Sequence, residues 1–222
     1  MKLLLTSGGV SAPAIRDALV ELLGRPIEEC SAVAIPTAMY GHPYAGPGER
    51  VWQFVAGRAE QPMVDLGWRS VALLELTALT SIPAERWQAL VRDADVLLVS
   101  GGDALYLAHW MRESGLLDLL PELEDTVWVG MSAGSMVMTP RIGADFVGWE
   151  PPGGGDAALG LVDFCLFPHL DHPDLEENTR AAAEAWAADL GHPAYGLDDL
   201  SAIVVDGDVV RVVSGGSWCR LA

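Results

Sequence analysis

The residues in this chain whose types and spacing can do chemistry are Ser132, His169 and a pair of aspartates, Asp198 and Asp199. Ser132 sits in Gly130-Met131-Ser132-Ala133-Gly134, after the apolar run Val127-Trp128-Val129 and before Met136-Val137-Met138. That order predicts a strand, a sharp turn and a helix, with the Ser132 hydroxyl at the carboxyl edge of a sheet. Gly130 and Gly134 lack a Cβ, so strand and helix can pass close to the serine. The helix start offers unpaired N–H groups and a positive dipole end, which suit an anionic intermediate.

A serine hydroxyl becomes a nucleophile when a base takes its proton, and the base needs a carboxylate to fix its tautomer. His169 follows an apolar strand and is the leading base. His172 is its rival, and His109 in a helical pattern and His192 in a loop fit less well. Asp199 or Asp198 suits the carboxylate because both follow a strand end, with Asp145 and Asp171 as alternatives. Gly101-Gly102 can turn a backbone N–H into the site, where with the N–H of Ala133 it makes an oxyanion hole. His169, His172, Asp171 and Asp174 invite a metal reading, but no third and fourth ligand is evident. No metal and no other cofactor is expected.

The elements that must hold these groups are legible in the spacing. Apolar runs predict strands over 3–5, 31–35, 70–76, 95–100, 127–131 and 161–167, with a short extended piece over 194–197. Helical spacing predicts helices over 14–23, 49–59, 84–92, 104–112, 116–123 and 176–190. Asp206-Gly207-Asp208 between two apolar runs, 201–205 and 209–213, predicts a closing hairpin. Alternation of strand and helix predicts a mostly parallel sheet with right-handed crossovers. In such sheets the loops beyond the carboxyl ends of the strands converge on a crevice. The long loop 40–48 is dense in glycine, proline and aromatics, and makes Tyr40, His42 and Tyr44 candidates for a pocket wall.

Composition bounds the rest. With 222 residues, half of them hydrophobic, the chain suits a single α/β domain over 1–222 with a full core. Its 31 acidic and 13 basic side chains give a formal net charge of −18, which repels phosphate backbones and anionic lipid. Nucleic-acid and membrane partners are therefore not expected. Cys30, Cys165 and Cys219 are few, odd in number and widely spaced, as in reduced structural thiols. The first residues are too short an apolar run for a signal peptide or membrane span, which points to the cytoplasm. Exposed apolar residues such as Trp149 and Trp218 are compatible with either a monomer or a homodimer.

At this point the chain resembles a known family. Ser-Gly-Gly-Asp (100–103), Gly-Met-Ser-Ala-Gly-Ser (130–135), Phe-Pro-His (167–169) and Gly-Leu-Asp-Asp (196–199) are similar to motifs of the peptidase E family of serine peptidases, S51. That family includes aspartyl dipeptidase and cyanophycinase. The resemblance covers nearly the whole length in the order nucleophile, histidine, acid, which differs from the order in α/β-hydrolase esterases. It implies a three-layer α/β/α fold like that of class I glutamine amidotransferases, with a mostly parallel sheet plus the C-terminal β-hairpin. It also implies Ser132 as nucleophile, His169 as base, and Gly102 and Ala133 as oxyanion-hole donors.

Asp199 stands where aspartyl dipeptidase carries a glutamate in Gly-Leu-Pro-Glu-Gly, one methylene longer. Asp103 replaces the family's usual asparagine. A carboxylate there would disfavour an anionic P1 aspartate and favour the α-amino group of a peptide, so Gly101, Asp103, Tyr40 and His42 are the expected substrate-binding residues. The function expected is hydrolysis of short peptides, of dipeptidase or aminopeptidase type, through an acyl-enzyme. The alternative is a non-catalytic amidotransferase-like domain that binds a small molecule or peptide.

Overall fold

The computed structural model of the chain describes residues 1–43 and 48–221. Its frame is a seven-stranded sheet built from the apolar runs. The strands are β1 (Lys2–Thr6), β2 (Ser31–Ile35), β3 (Ser70–Leu73), β4 (Val96–Val99), β5 (Val127–Met131), β8 (Ser201–Asp206) and β9 (Val209–Ser214). They lie in the order β3-β2-β4-β5-β1-β8-β9. The five strands from β3 to β1 are parallel. The closing hairpin adds β8 antiparallel to β1, with β9 antiparallel to β8. β4 and β5 are buried along their whole length, as strands covered on both faces must be.

Two hydrophobic clusters cover the faces. Ile15, Ala18, Leu19 and Leu22 of α1 (Pro13–Leu23) pack on one face with Phe54 of α3 (Glu49–Val55). The other face carries α4 (Ala84–Arg92), α5 (Ala104–Glu113), α6 (Leu116–Leu119) and α7 (Ala133–Met136). A one-turn helix, α2 (Ala38–Gly41), follows β2. The three layers agree with the predicted fold class.

A second, three-stranded sheet stands apart from the first. It contains β6 (Cys165–Phe167), β7 (Ala194–Leu197) and β10 (Trp218–Leu221), in the order β10-β7-β6. Trp186, Ala183 and Ala187 of α8 (Arg180–Ala188) form its core with Phe167 and Leu190. The expected strand 161–167 shortens to β6 because the N–H groups of Leu161 and Val162 turn back to the Met138 carbonyl. The expected helix 176–190 starts late because Thr179 caps it, accepting the Ala182 N–H at 3.2 Å. The strand predicted over 70–76 stops at Leu73, and Glu75 accepts the Thr77 N–H to open a 3-10 turn over 76–81. No helix among the described residues is long and apolar enough to cross a membrane. Cys30, Cys165 and Cys219 are all free and buried.

Candidate active site

Ser132 follows β5 directly, at φ 49° and ψ −109°. Such a conformation costs on the order of 1–3 kcal/mol in a residue with a Cβ, and here the surroundings fix it. Its N–H donates to the Thr6 carbonyl (3.0 Å), and its own carbonyl accepts from the N–H groups of Ser135 and Met136. Gly134 keeps the turn tight: a Cβ there would lie 2.4 Å from the Val99 carbonyl oxygen of β4. Among the described residues the Ser132 hydroxyl takes part in no hydrogen bond.

His169 hangs off β6 through Pro168, with φ 56°. Its Nδ1 lies 2.6 Å from Oδ1 of Asp199, which follows β7. The two side chains are each about a quarter exposed. Burial pushes the Asp199 carboxyl up. The hydrogen bond and charge of His169, the Ser7 hydroxyl and the charge of His172 outweigh it, so the carboxyl stays below the usual carboxylate range. An ionised Asp199 requires the proton on Nδ1 and leaves His169 Nε2 as an acceptor. His172 Nε2 stands 3.5 Å from Asp199 Oδ2.

The other candidate carboxylates are engaged elsewhere. Asp198 accepts from the Leu200 N–H, the Ser201 hydroxyl and the Ser217 N–H, which ties the turn into β8 to the approach to β10. Asp171 accepts the Arg180 N–H at the start of α8. Asp145 lies exposed in a 3-10 turn. His109 packs edge-on against Trp110 and tilted against Trp149, with ring centroids 5.3 and 5.2 Å away. Among the described residues no group of three or more His, Cys, Asp or Glu is arranged to hold a metal.

Gly101 and Gly102 come from the end of β4. A Cβ on Gly101 would touch Ser132 Cβ at 3.5 Å, so this loop lies against the serine. Gly102 sits at φ 138°, and a Cβ there would meet the Ala38 carbonyl oxygen at 2.2 Å. Among the described residues the N–H groups of Gly102 and Ala133 meet no protein acceptor, which leaves both open to a developing oxyanion.

Asp103 turns towards the start of α5 and the 147–149 loop. It is 4% exposed. Its Oδ1 accepts the Tyr106 N–H as N-cap of α5 (2.8 Å), and its Oδ2 accepts the Trp149 N–H (2.6 Å). Burial raises its carboxyl pKa, against the pull of those N–H groups. It is a tie between helix and loop, with each carboxylate oxygen accepting a backbone N–H. Tyr40 lies within α2 and is 46% exposed. His42 lies near Arg50 and Asp103; burial first, then Arg50, lowers its pKa, and Asp103 opposes them. Tyr44 lies outside the described residues.

Two features beside the site were not identified from the sequence. One is an aromatic wall on α5 and the 147–149 loop, where Tyr106 meets Trp149 edge-on at 5.5 Å and Trp110 at 6.2 Å. Its members recur at helical spacing, which also describes an ordinary core face. Trp149, expected to be exposed, is packed into this wall. The other is Ser7, a lone serine in the turn Thr6-Ser7-Gly8-Gly9, which carries no signal of its own.

With this geometry in hand, likenesses to known proteins can be set beside it. The description of Peptidase family S51 matches residues 3–213. A "Peptidase E" from Shewanella oneidensis is 32% identical over 149 residues, 63% of this chain, and the match spans 61% of that relative's own length. A "Peptidase E" from Shewanella denitrificans is 30% identical over 180 residues, 77% of this chain and 72% of the relative. Among solved structures, a peptidase from an acI-B1 Actinobacterium superposes with a TM-score of 0.73 at 21% identity, covering 99% of this chain and 90% of that one. That likeness bears on the fold alone.

Proposed function

We propose that this chain, which belongs to peptidase family S51, is a serine peptidase that hydrolyses short peptides through Ser132, His169 and Asp199. The observation that carries this reading is the 2.6 Å contact between His169 Nδ1 and Asp199 Oδ1, which leaves Nε2 as a proton acceptor. It is joined within one residue of chain, Thr6 to Ser7, to the turn that holds Ser132. The "Peptidase E" names of two relatives support the substrate class.

In this reading His169 Nε2 takes the Ser132 proton as Oγ bonds to the scissile carbonyl carbon. The N–H groups of Gly102 and Ala133 receive the oxyanion, and each such donor contributes about 3 kcal/mol. His169 then protonates the leaving amine, the C–N bond breaks, and an ester to Ser132 remains. Water, deprotonated by His169, attacks that ester and restores the serine. Asp199 stays ionised and holds the imidazolium that forms twice in the cycle.

The chain is expected to cleave dipeptides or the first residue of short peptides. The motivating feature is the proximity of the aromatic wall and the Tyr40–His42 segment to Gly102. Two measurements test the proposal. A fluorophosphonate should modify Ser132 covalently, read by mass spectrometry, and Ser132→Ala should lose hydrolysis across a panel of X-Ala dipeptides and aminoacyl-p-nitroanilides. A Ser132→Ala protein with full activity, or no labelling of the parent, removes the reading. Absence of labelling with retained peptide binding points to a binding domain in its place.

A further inference from the structure

We propose that Ser7 is a positioning residue of this site, a clamp that fixes the Asp199 carboxylate and the His169 backbone to each other through one hydroxyl. The inference rests on the reading of Ser132, His169 and Asp199 given above. Ser7 is fully buried at the end of β1. Its Oγ accepts the His169 N–H at 2.7 Å and donates to Asp199 Oδ1 at 2.8 Å. A hydroxyl has a single proton. With the His169 N–H already directed at its oxygen, that proton goes to Asp199.

Among the described residues, the side chains against the carboxylate can all donate to it. His169 Nδ1 and Ser7 Oγ converge on Oδ1. His172 faces Oδ2, and because its Nδ1 accepts the Asp174 N–H at 3.1 Å, a neutral His172 carries its proton on Nε2, towards Asp199. Two donors on one oxygen set the rotation of the carboxylate, so the plane offered to His169 does not depend on His169 alone. The same hydroxyl pins His169 at the residue whose φ of 56° would otherwise relax.

Thr6, the preceding residue, completes the arrangement. Its carbonyl accepts the Ser132 N–H at 3.0 Å and the Ser135 hydroxyl at 2.8 Å. Its own hydroxyl donates to the Gly130 carbonyl at 2.7 Å. Two consecutive residues, the last of β1 and the one after it, thus hold the nucleophile's turn on one side and the base–acid pair on the other. This matters because Ser132 rides on the seven-stranded sheet, whereas His169 follows β6 of the small one. Asp199 lies in the turn that leads from β7 of the small sheet to β8 of the large one. Ser7 is where the two sheets are put in register for chemistry.

The test is Ser7→Ala, checked for folding by circular dichroism and thermal melting. It is read by kcat and KM on an X-Ala dipeptide the parent cleaves and by the rate of fluorophosphonate labelling. Loss of positioning should lower kcat and the maximal labelling rate by roughly 10- to 100-fold with KM within threefold, since small misplacements at a reacting centre cost that much. Ser7→Cys, whose sulfur fills the space but bonds weakly, should fall between parent and alanine. The inference is overturned if folded Ser7→Ala keeps kcat within threefold of the parent, or if its loss lies in KM alone. Should Ser7→Ala not fold, Ser7→Cys decides by the same criterion. Ser132→Ala run alongside separates the two claims: if it stays active or the parent takes no label, the triad reading fails and the clamp with it. If Ser132→Ala is dead and Ser7→Ala is not, the clamp alone fails.

Discussion

Replacing Asp103 by alanine separates a structural tie from a substrate contact, and the structure sets the size of the effect. The side chain caps a ten-residue helix through Tyr106 and holds the 147–149 loop through Trp149. Loss of an N-cap costs about 1 kcal/mol. Stripping the acceptor from the Trp149 N–H, at a half-buried residue, adds about 1–2 kcal/mol. Together these predict a destabilisation of about 2–3 kcal/mol. At roughly 2–4 °C per kcal/mol for a chain of this size, Tm should fall by about 4–12 °C.

A pH signature accompanies the loss. Burial raises the folded-state pKa of Asp103 above its unfolded value near 3.9. The stability it contributes is therefore fully present below the unfolded pKa and diminishes as pH rises through the folded one. The difference in unfolding free energy between parent and Asp103→Ala, measured by urea melts, should be larger at pH 4 than at pH 7. If Asp103 instead read the substrate's α-amino group, the variant would keep its Tm and raise KM for dipeptides but not for N-acetylated analogues. That pattern would refute the reasoning.

Other variants probe the remaining groups. Gly102→Ala should lower kcat by about 100- to 1000-fold, because its Cβ displaces the loop from the Ala38 carbonyl and moves an oxyanion donor; an unchanged kcat would clear Gly102 of that role. Asp199→Asn should reduce kcat by about 10⁴-fold through the wrong His169 tautomer. The stability from the depressed Asp199 pKa is present above the unfolded pKa near 3.9 and lost as pH falls through the folded one, so the variant should also show a weaker acid-side loss in urea melts. Asp145→Asn, at an exposed turn, should leave kcat within twofold; a large loss there would move the acid. Truncation after Gly216 removes β10 from β7, whose end carries Asp199, and should abolish activity while lowering Tm; a fully active truncation would show the small sheet to be dispensable.

The central strands of the main sheet were readable because burial on both faces demands continuous apolar runs such as Val96-Leu97-Leu98-Val99. The final hairpin was readable because Asp206-Gly207-Asp208 supplies its turn chemistry. Of the small sheet, β6 and β7 were readable as extended runs, but β10 and the pairing were not. Trp218-Cys219-Arg220-Leu221 alternates exposed and buried over four residues, too short a pattern to stand out, and its partner β7 is fixed by long-range pairing that local spacing does not encode. Ser132, His169 and the pair Asp198 and Asp199 were candidates because each follows a strand end, and local spacing did not choose between the two aspartates. Asp103 looked similar because its motif matches as well, yet its side chain turns inward to cap the next helix. Ser7 was silent because a buried serine hydroxyl has meaning only through partners distant in sequence.

Among the described strands β1 is made earliest, yet it lies between β5 and β8, and Ser7, the residue after it, meets Asp199 across 192 positions. At about 5–20 residues per second, that interval takes roughly 10–40 s of synthesis. Throughout it Leu3, Leu4 and Leu5 lack one or both neighbours, an apolar segment waiting in the nascent chain. The site therefore cannot form piecemeal as domains often do, from the amino end onward. An activity that rests on Ser132, His169 and Asp199 should appear all at once, only after residues 194–206 have left the ribosome.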